Sequence, residues 1–228
     1  MFNSIAPIYD LLNCLLSFGR DRYWRKTAVD ALEPVEGQKV LDLATGTANM
    51  VLEIAGRFTP GKIQIFGVDF SQNMLSQGIK KVSFAGLNHS TFFISANGEA
   101  LPFPNNSFDG ATIAFGIRNF SNIKRGLDEL FRTLAPGGRL SILEFSIPRQ
   151  MFFRKVYLFY FKRILPWIGQ KVSGNHYAYQ YLPESVSAFP EKEEFITCLK
   201  RTGFEGVVVQ ELTGGIVSLY TGYKNENT

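Results

Sequence analysis

The sequence predicts an α/β fold, a mostly parallel and doubly wound sheet of seven strands whose last strand is antiparallel, preceded by an N-terminal helical cap. Three observations carry this expectation. The run VLDLATGTANM over residues 40–50 reads as a buried strand entering a glycine-bearing turn, strand and helix patterns alternate as far as residue 146, and two strands separated by ThrGlyGly close the chain. A length of 228 residues suits a single domain, residues 1–228, and a hydrophobic content of 45% can fill its core. Within it, residues 1–36 are assigned to the cap and residues 147–188 to an aromatic and basic insertion.

Residues 2–32 suggest two helices separated near residues 17–21, with Gly19 as the break. In the first strand Val40, Leu41 and Leu43 surround Asp42, the apolar pattern of a parallel strand buried on both faces. Gly46 then marks a turn where backbone passes close to a ligand, and Thr47 is placed to cap a helix over residues 47–58. The second strand, IQIFGVDFS, carries Asp69 at its end, about twenty residues past the glycine turn, where such folds bind a ribose diol. Ser71 caps a helix over 72–85, TFFIS is a third strand, and ANGEALPFPNNSFDG is a polar loop. GATIAFG is the fourth strand, residues 123–134 a helix, APGG a turn and RLSILEFS the fifth strand. A helix over 191–202 ends at Gly203, and VVVQEL and IVSLYTGYK form a hairpin that turns at Gly214 and Gly215.

The turn lacks two of the three glycines of the dinucleotide fingerprint, so a pyrophosphate would be poorly served. S-adenosylmethionine has no phosphates to cradle. It needs close backbone approach and an acid for the ribose hydroxyls, which Gly46 and Asp69 supply, although an ordinary strand–turn–helix unit would use the same residues. The closing antiparallel strand belongs to the methyltransferase version of the Rossmann-like sheet. Cys14 and Cys198 show no CxxC spacing, and with His89 and His176 they indicate neither a disulfide framework nor a metal site. The first residues lack a basic n-region and no apolar stretch reaches about eighteen residues, so a cytoplasmic location is expected. Net charge is +4, and residues 151–167, MFFRKVYLFYFKRILPW, interleave aromatic and basic residues without an acid. Such a helix suits the inner face of a membrane or a greasy partner, and equally a cover over the core. No polar basic stripe or base-flipping motif points to nucleic acid.

Several separated segments together resemble the quinone-biosynthesis C-methyltransferases, over nearly the whole chain. The pattern Y-D-x-x-N-x-x-L-S followed by H-x-x-W is matched by Tyr9, Asp10, Asn13, Leu16, Ser17 and Trp24, with Asp21 in place of the histidine. R-x-L-K-P-G-G-x-L-x-x-L-E-F-S is matched from Arg132 to Ser146 with Ala135 for Lys, and LPFPNNSFD, FGIRNF, YQYLPES and LTGGIVSLYTGYK also agree. The resemblance implies S-adenosylmethionine as cofactor, contacted by Thr47, Asp69 and the pair Asn97 and Gly98, where Asn or Asp followed by Ala is usual, with Ala114 replacing a common serine so that only its backbone serves. Asp42 is added to the cofactor set as an acid that orients the turn, a buried structural acid being the other reading.

The implied reaction is C-methylation of a polyprenyl hydroquinone, demethylmenaquinol first and a ubiquinone precursor or another hydrophobic ring as alternatives. A cofactor-binding scaffold without catalysis is the rival from another class. Arg118 is the expected cation for developing oxyanion charge and Asn119 its hydrogen-bonding neighbour, or else Arg118 satisfies backbone carbonyls or pairs with Asp10. Tyr9, Asn13, Tyr179 and Tyr181 are expected to line the substrate groove. Asp10, Asp21, His176, Tyr179 or an activated water remain open as the base, and a homodimer is left open.

Overall fold

The computed structural model describes residues 10, 14, 17–151, 154–155 and 176–227, the backbone alone for 176–180. Helix α1 (Arg20–Leu32) leads into β1 (Lys39–Leu43), α2 (Asn49–Ala55), β2 (Gln64–Asp69), α3 (Gln72–Phe84) and β3 (Thr91–Ser95). Then follow β4 (Phe108–Ala114), α4 (Ile123–Thr133), β5 (Leu134–Phe145), α5 (His176–Ala188), α6 (Lys192–Thr202), β6 (Glu205–Leu212) and β7 (Val217–Tyr223). The described strands form one seven-stranded sheet in the order β3-β2-β1-β4-β5-β7-β6. The first five run parallel, and β7 pairs antiparallel with both β5 and β6.

Alternation along β1 explains why the sheet is covered on both sides. Val40 joins a cluster with Trp24, Val29, Val51 and Ile54, whereas Leu41 and Leu43 join Ile113, Leu127, Leu130 and Phe195 on the opposite face. Helix α4 buries Gly126, Leu127, Leu130 and Thr133, the three- and four-residue spacing of one helical face. Because β2 and β4 flank β1, the chain winds one way from β1 to β3 and the other way from β4 onward. Such a reversal leaves a crevice at the carboxyl ends of β1 and β4.

Local signals place several boundaries as expected. The Ser71 side chain accepts the Met74 amide at 3.3 Å, and Gly203, at φ 116°, ends α6 in the left-handed conformation that favours glycine. The hairpin turns at Gly214 and Gly215, both at positive φ. Two elements differ. Helix α2 starts at Asn49, because Ala48 enters it at φ 65° with no side-chain cap, and the Thr47 hydroxyl donates to Asp10 Oδ1 at 2.6 Å instead. APGG is the start of β5, in which Leu134 pairs with Phe108 before the register shifts. Tyr9, Asn13, the Tyr179 side chain, His176 and the 151–167 segment apart from Met151, Arg154 and Lys155 lie outside the described residues.

Trp24 fastens α1 to the far end of the sheet. Its ring meets Phe115 and Phe145 edge-on, at 5.9 and 6.2 Å between centroids, and its Nε1 donates to Thr213 Oγ1 at 2.7 Å. Trp24→Phe is expected to lower unfolding free energy by about 1 kcal/mol through the lost hydrogen bond, and Trp24→Ala by about 3–5 kcal/mol through the cavity. Urea denaturation of both variants measures the difference.

Candidate active site

The loops after β1, β2, β3 and β4 enclose a cavity of about 340 Å³ at the predicted crevice. Leu43, Ala44 and Gly46 form one wall, Asp69, Phe70 and Met74 a second, Asn97, Gly98 and Glu99 a third, and Ala114, Phe115, Gly116, Asn119 and Phe120 the fourth. Its size lies within the range of small-molecule sites.

Three left-handed residues shape the first wall: Ala44 at φ 55°, Gly46 at φ 55° and Ala48 at φ 65°. Two of them carry a side chain, and strain of this kind persists where surrounding bonds over-determine it. Here the Thr45 amide donates to the Val68 carbonyl at 3.0 Å, and the Gly46 amide donates to Asp69 Oδ2 at 2.8 Å. A Cβ added to Gly46 would meet no atom within 4 Å, so the space before it belongs to the cavity. Gly116 is tight by contrast, since a Cβ there would lie 2.4 Å from the Ala44 Cβ.

Asp69 stands where the sequence places it. Oδ1 accepts the Ser71 amide at 2.8 Å and Oδ2 the Gly46 amide, which leaves acceptor capacity on both oxygens. Burial pushes this carboxyl up, against the backbone amides of Ser71, Gly46 and Phe70. Phe70 beside it is 82% exposed, a large apolar ring at the cavity edge that the sequence reading missed. Asn97 makes an Asx turn, its Oδ1 accepting the Glu99 amide at 2.9 Å. Gly98, where the resembling family has alanine, is explained by Phe120: a Cβ would approach that ring to 2.6 Å, and Gly126 presses on the same ring from α4.

Asp42 and Thr47 stand behind the first wall and are not among the residues that line the cavity. Asp42 lies beneath the turn at 1% exposure, accepting Thr45 Oγ1 at 2.6 Å and Thr112 Oγ1 at 2.8 Å. Thr47 is buried and, with Asn49 Nδ2 at 2.8 Å, binds Asp10, which also pairs with Lys81. Burial works to raise the Asp10 carboxyl, but bonds from Lys81, Thr47 and Asn49 outweigh it and hold it below the ordinary range. A carboxylate held so is a poor base. Asp21 is equally committed, accepting Ser17 Oγ at 2.9 Å and Arg25 Nη2 at 2.8 Å in the first turn of α1.

Arg118 follows the alternative reading of a cation that satisfies backbone carbonyls. Its guanidinium does not line the cavity and does not meet Asp10; Nη1 donates to Glu144 Oε1 at 2.7 Å and to the Phe115 carbonyl. Asn119 does line the cavity, and Tyr181 comes to it, the phenol donating to Asn119 Oδ1 at 2.9 Å. The amide nitrogen is then the group of Asn119 left to donate. Ala114 lines the cavity.

A family model described as the ubiE/COQ5 methyltransferase family matches residues 1–224. The chain belongs to that family. Among its relatives, a ubiquinone/menaquinone biosynthesis C-methyltransferase UbiE of Geobacter sulfurreducens is 49% identical, over 98% of this chain and 87% of the relative. A demethylmenaquinone methyltransferase of Thermus thermophilus is 46% identical, over 97% and 99%. Solved structures share the fold at lower identity. A SAM-dependent methyltransferase from Aquifex aeolicus aligns with TM-score 0.67 and 19% identity over 93% of this chain and 96% of its own. The [4+2]-cyclase SpnF aligns with TM-score 0.70 and 19% identity over 91% and 82%. One fold thus serves both proteins, and methyl transfer by this enzyme follows from family membership.

Burial raises the Asp42 carboxyl from 3.8 to about 7, against the hydroxyls of Thr45 and Thr112 and with help from the nearby Asp69 charge. The folded state therefore holds this proton more tightly than the unfolded chain. Asp42 favours the fold fully below pH ~4, and a contribution on the order of 4 kcal/mol is lost as pH rises through about 7. Asp42→Asn should flatten the fall in thermal stability between about pH 4 and pH 7, and a slope equal to the wild type's would contradict the assignment.

Proposed function

We propose that this methyltransferase carries a methyl group from S-adenosylmethionine to a ring carbon of a polyprenyl hydroquinone, demethylmenaquinol in particular. The observation that carries the proposal is the cavity wall made by the Gly46 turn and Asp69, in a chain matched to its family over residues 1–224. The name of the Thermus relative, aligned over 99% of its length, supports the naphthoquinol reading.

The residues present fit the donor. Gly46 opens the turn without a side chain, Asp69 offers acceptor capacity for ribose hydroxyls, and Phe70, Met74 and Ala96 give apolar surface beside the Asn97–Gly98 turn. When bound, S-adenosylmethionine supplies an electrophilic methyl on a sulfonium. The chain's task is then to hold an electron-rich ring carbon in line and keep water out, and positioning of this kind supplies roughly 7–11 kcal/mol in favourable cases. Asn119, fixed through its oxygen by Tyr181, orients a quinol oxygen with its amide nitrogen. Arg118 acts one step back from the ring, through the turn that carries Asn119. Peripheral contact with an anionic membrane through the aromatic and basic 151–167 stretch, at the cytoplasmic face, belongs to the same proposal, and Phe152→Ser with Phe153→Ser and Tyr157→Ser should lower liposome binding without changing donor affinity.

Incubation with labelled donor and reduced demethylmenaquinone, beside the demethylated ubiquinone precursor, tests the assignment. Label is expected in menaquinol. Label in the benzoquinol alone moves the substrate to the alternative, and label in neither favours a scaffold. Asp69→Asn is expected to weaken donor binding about 10- to 100-fold by calorimetry, the value of a hydrogen bond to a charged acceptor.

A further inference from the structure

Glu144 is the last-but-one residue of β5 and is fully buried. One carboxylate gathers three donors: Arg118 Nη1 at 2.7 Å and the Phe145 amide at 2.8 Å on Oε1, and the Arg118 amide at 3.3 Å on Oε2. Arg118, its side chain 6% exposed, passes this anchorage on. Nη1 also holds the carbonyl of Phe115, Nε donates to Ser185 Oγ of α5 at 3.3 Å, and the guanidinium lies 5.4 Å from the Phe145 ring centroid.

Phe115 needs such a hold. It lines the cavity at φ 58°, a conformation costly for a bulky side chain, and it opens the turn that ends in Asn119. Helix α5 meets that turn at two points, Ser185 on Arg118 and Tyr181 on Asn119. A buried ion pair is no better for stability than apolar groups of the same volume, because desolvation offsets the attraction. Its value here is directional: one carboxylate sets the strained residue, the turn and the helix in a single arrangement.

We propose that Glu144 is a positioning residue for the acceptor side of the cavity, holding Asn119 and the Tyr181 helix in register through Arg118. The assignment rests on the reading of the cavity as a methyl-transfer site. Full-length Glu144→Gln, and the double variant Glu144→Leu with Arg118→Met that removes both charges, are compared with wild type. Hydrogen–deuterium exchange at residues 115–121 is expected to rise about tenfold in both variants while β1 and β2 keep their protection. Turnover should fall about 100-fold in kcat, with the KM for S-adenosylmethionine within about threefold, as expected of a misplaced acceptor. The double variant keeps the comparison open if Glu144→Gln does not fold. Wild-type exchange at 115–121 in the double variant overturns the proposal, and so does a parallel loss of melting temperature, donor affinity and turnover. A wild-type enzyme that methylates no quinol would count against the proposed function, and the exchange data would still decide the role of Glu144.

Discussion

The hydrogen bond from the Gly46 amide to Asp69 ties the first two strands of the sheet together at the point where the cavity opens. Together with the Thr45 amide on the Val68 carbonyl it holds a turn in which three residues sit in the left-handed region and two of them are alanines. Asp69 in turn keeps its place because the Ser71 amide donates to its other oxygen while Ser71 itself caps α3. Backbone, carboxylate and helix cap form one unit. It presents an acceptor and a bare stretch of backbone to the same volume, the requirement of a donor that carries a ribose and no phosphate.

Beneath that unit lies a neutralisable acid, and beside it an ion pair. Asp42 joins Thr45 of the turn to Thr112 of β4, so it braces the floor of the cavity across two strands. Arg118 and Glu144 brace the opposite wall across β5 and the turn after β4. Asp10 closes the outer side by binding Thr47, Asn49 and Lys81, which ties this residue to α2 and α3. None of these groups lines the cavity, yet each fixes a residue that does or stands next to one.

That division explains what could be read in the sequence. Gly46, Asp69, Ser71 and Gly203 are legible because their roles are local: a positive φ, a strand end, a helix cap and a helix stop. Alternation and the closing hairpin point to a mostly parallel sheet with an antiparallel last strand, whereas the place of β7 between β5 and β6 is seen only in the structure. Arg118 and Thr47 are legible as residues of note, but their partners stand 26 and 37 residues away, Glu144 and Asp10, and no periodicity joins them. Gly98 reads as a departure from its family until Phe120 is placed against it. Phe70 hides because an exposed aromatic after a strand has no signature of its own.

The account stands on the Gly46–Asp69 wall being the donor site. A crystal structure of the enzyme with S-adenosylhomocysteine tests that most directly. The expected result is the ribose hydroxyls within hydrogen-bonding distance of the Asp69 carboxylate and the amino acid part against the Gly46 turn. A ligand bound elsewhere, with Asp69 touching nothing beyond its backbone amides, would contradict it.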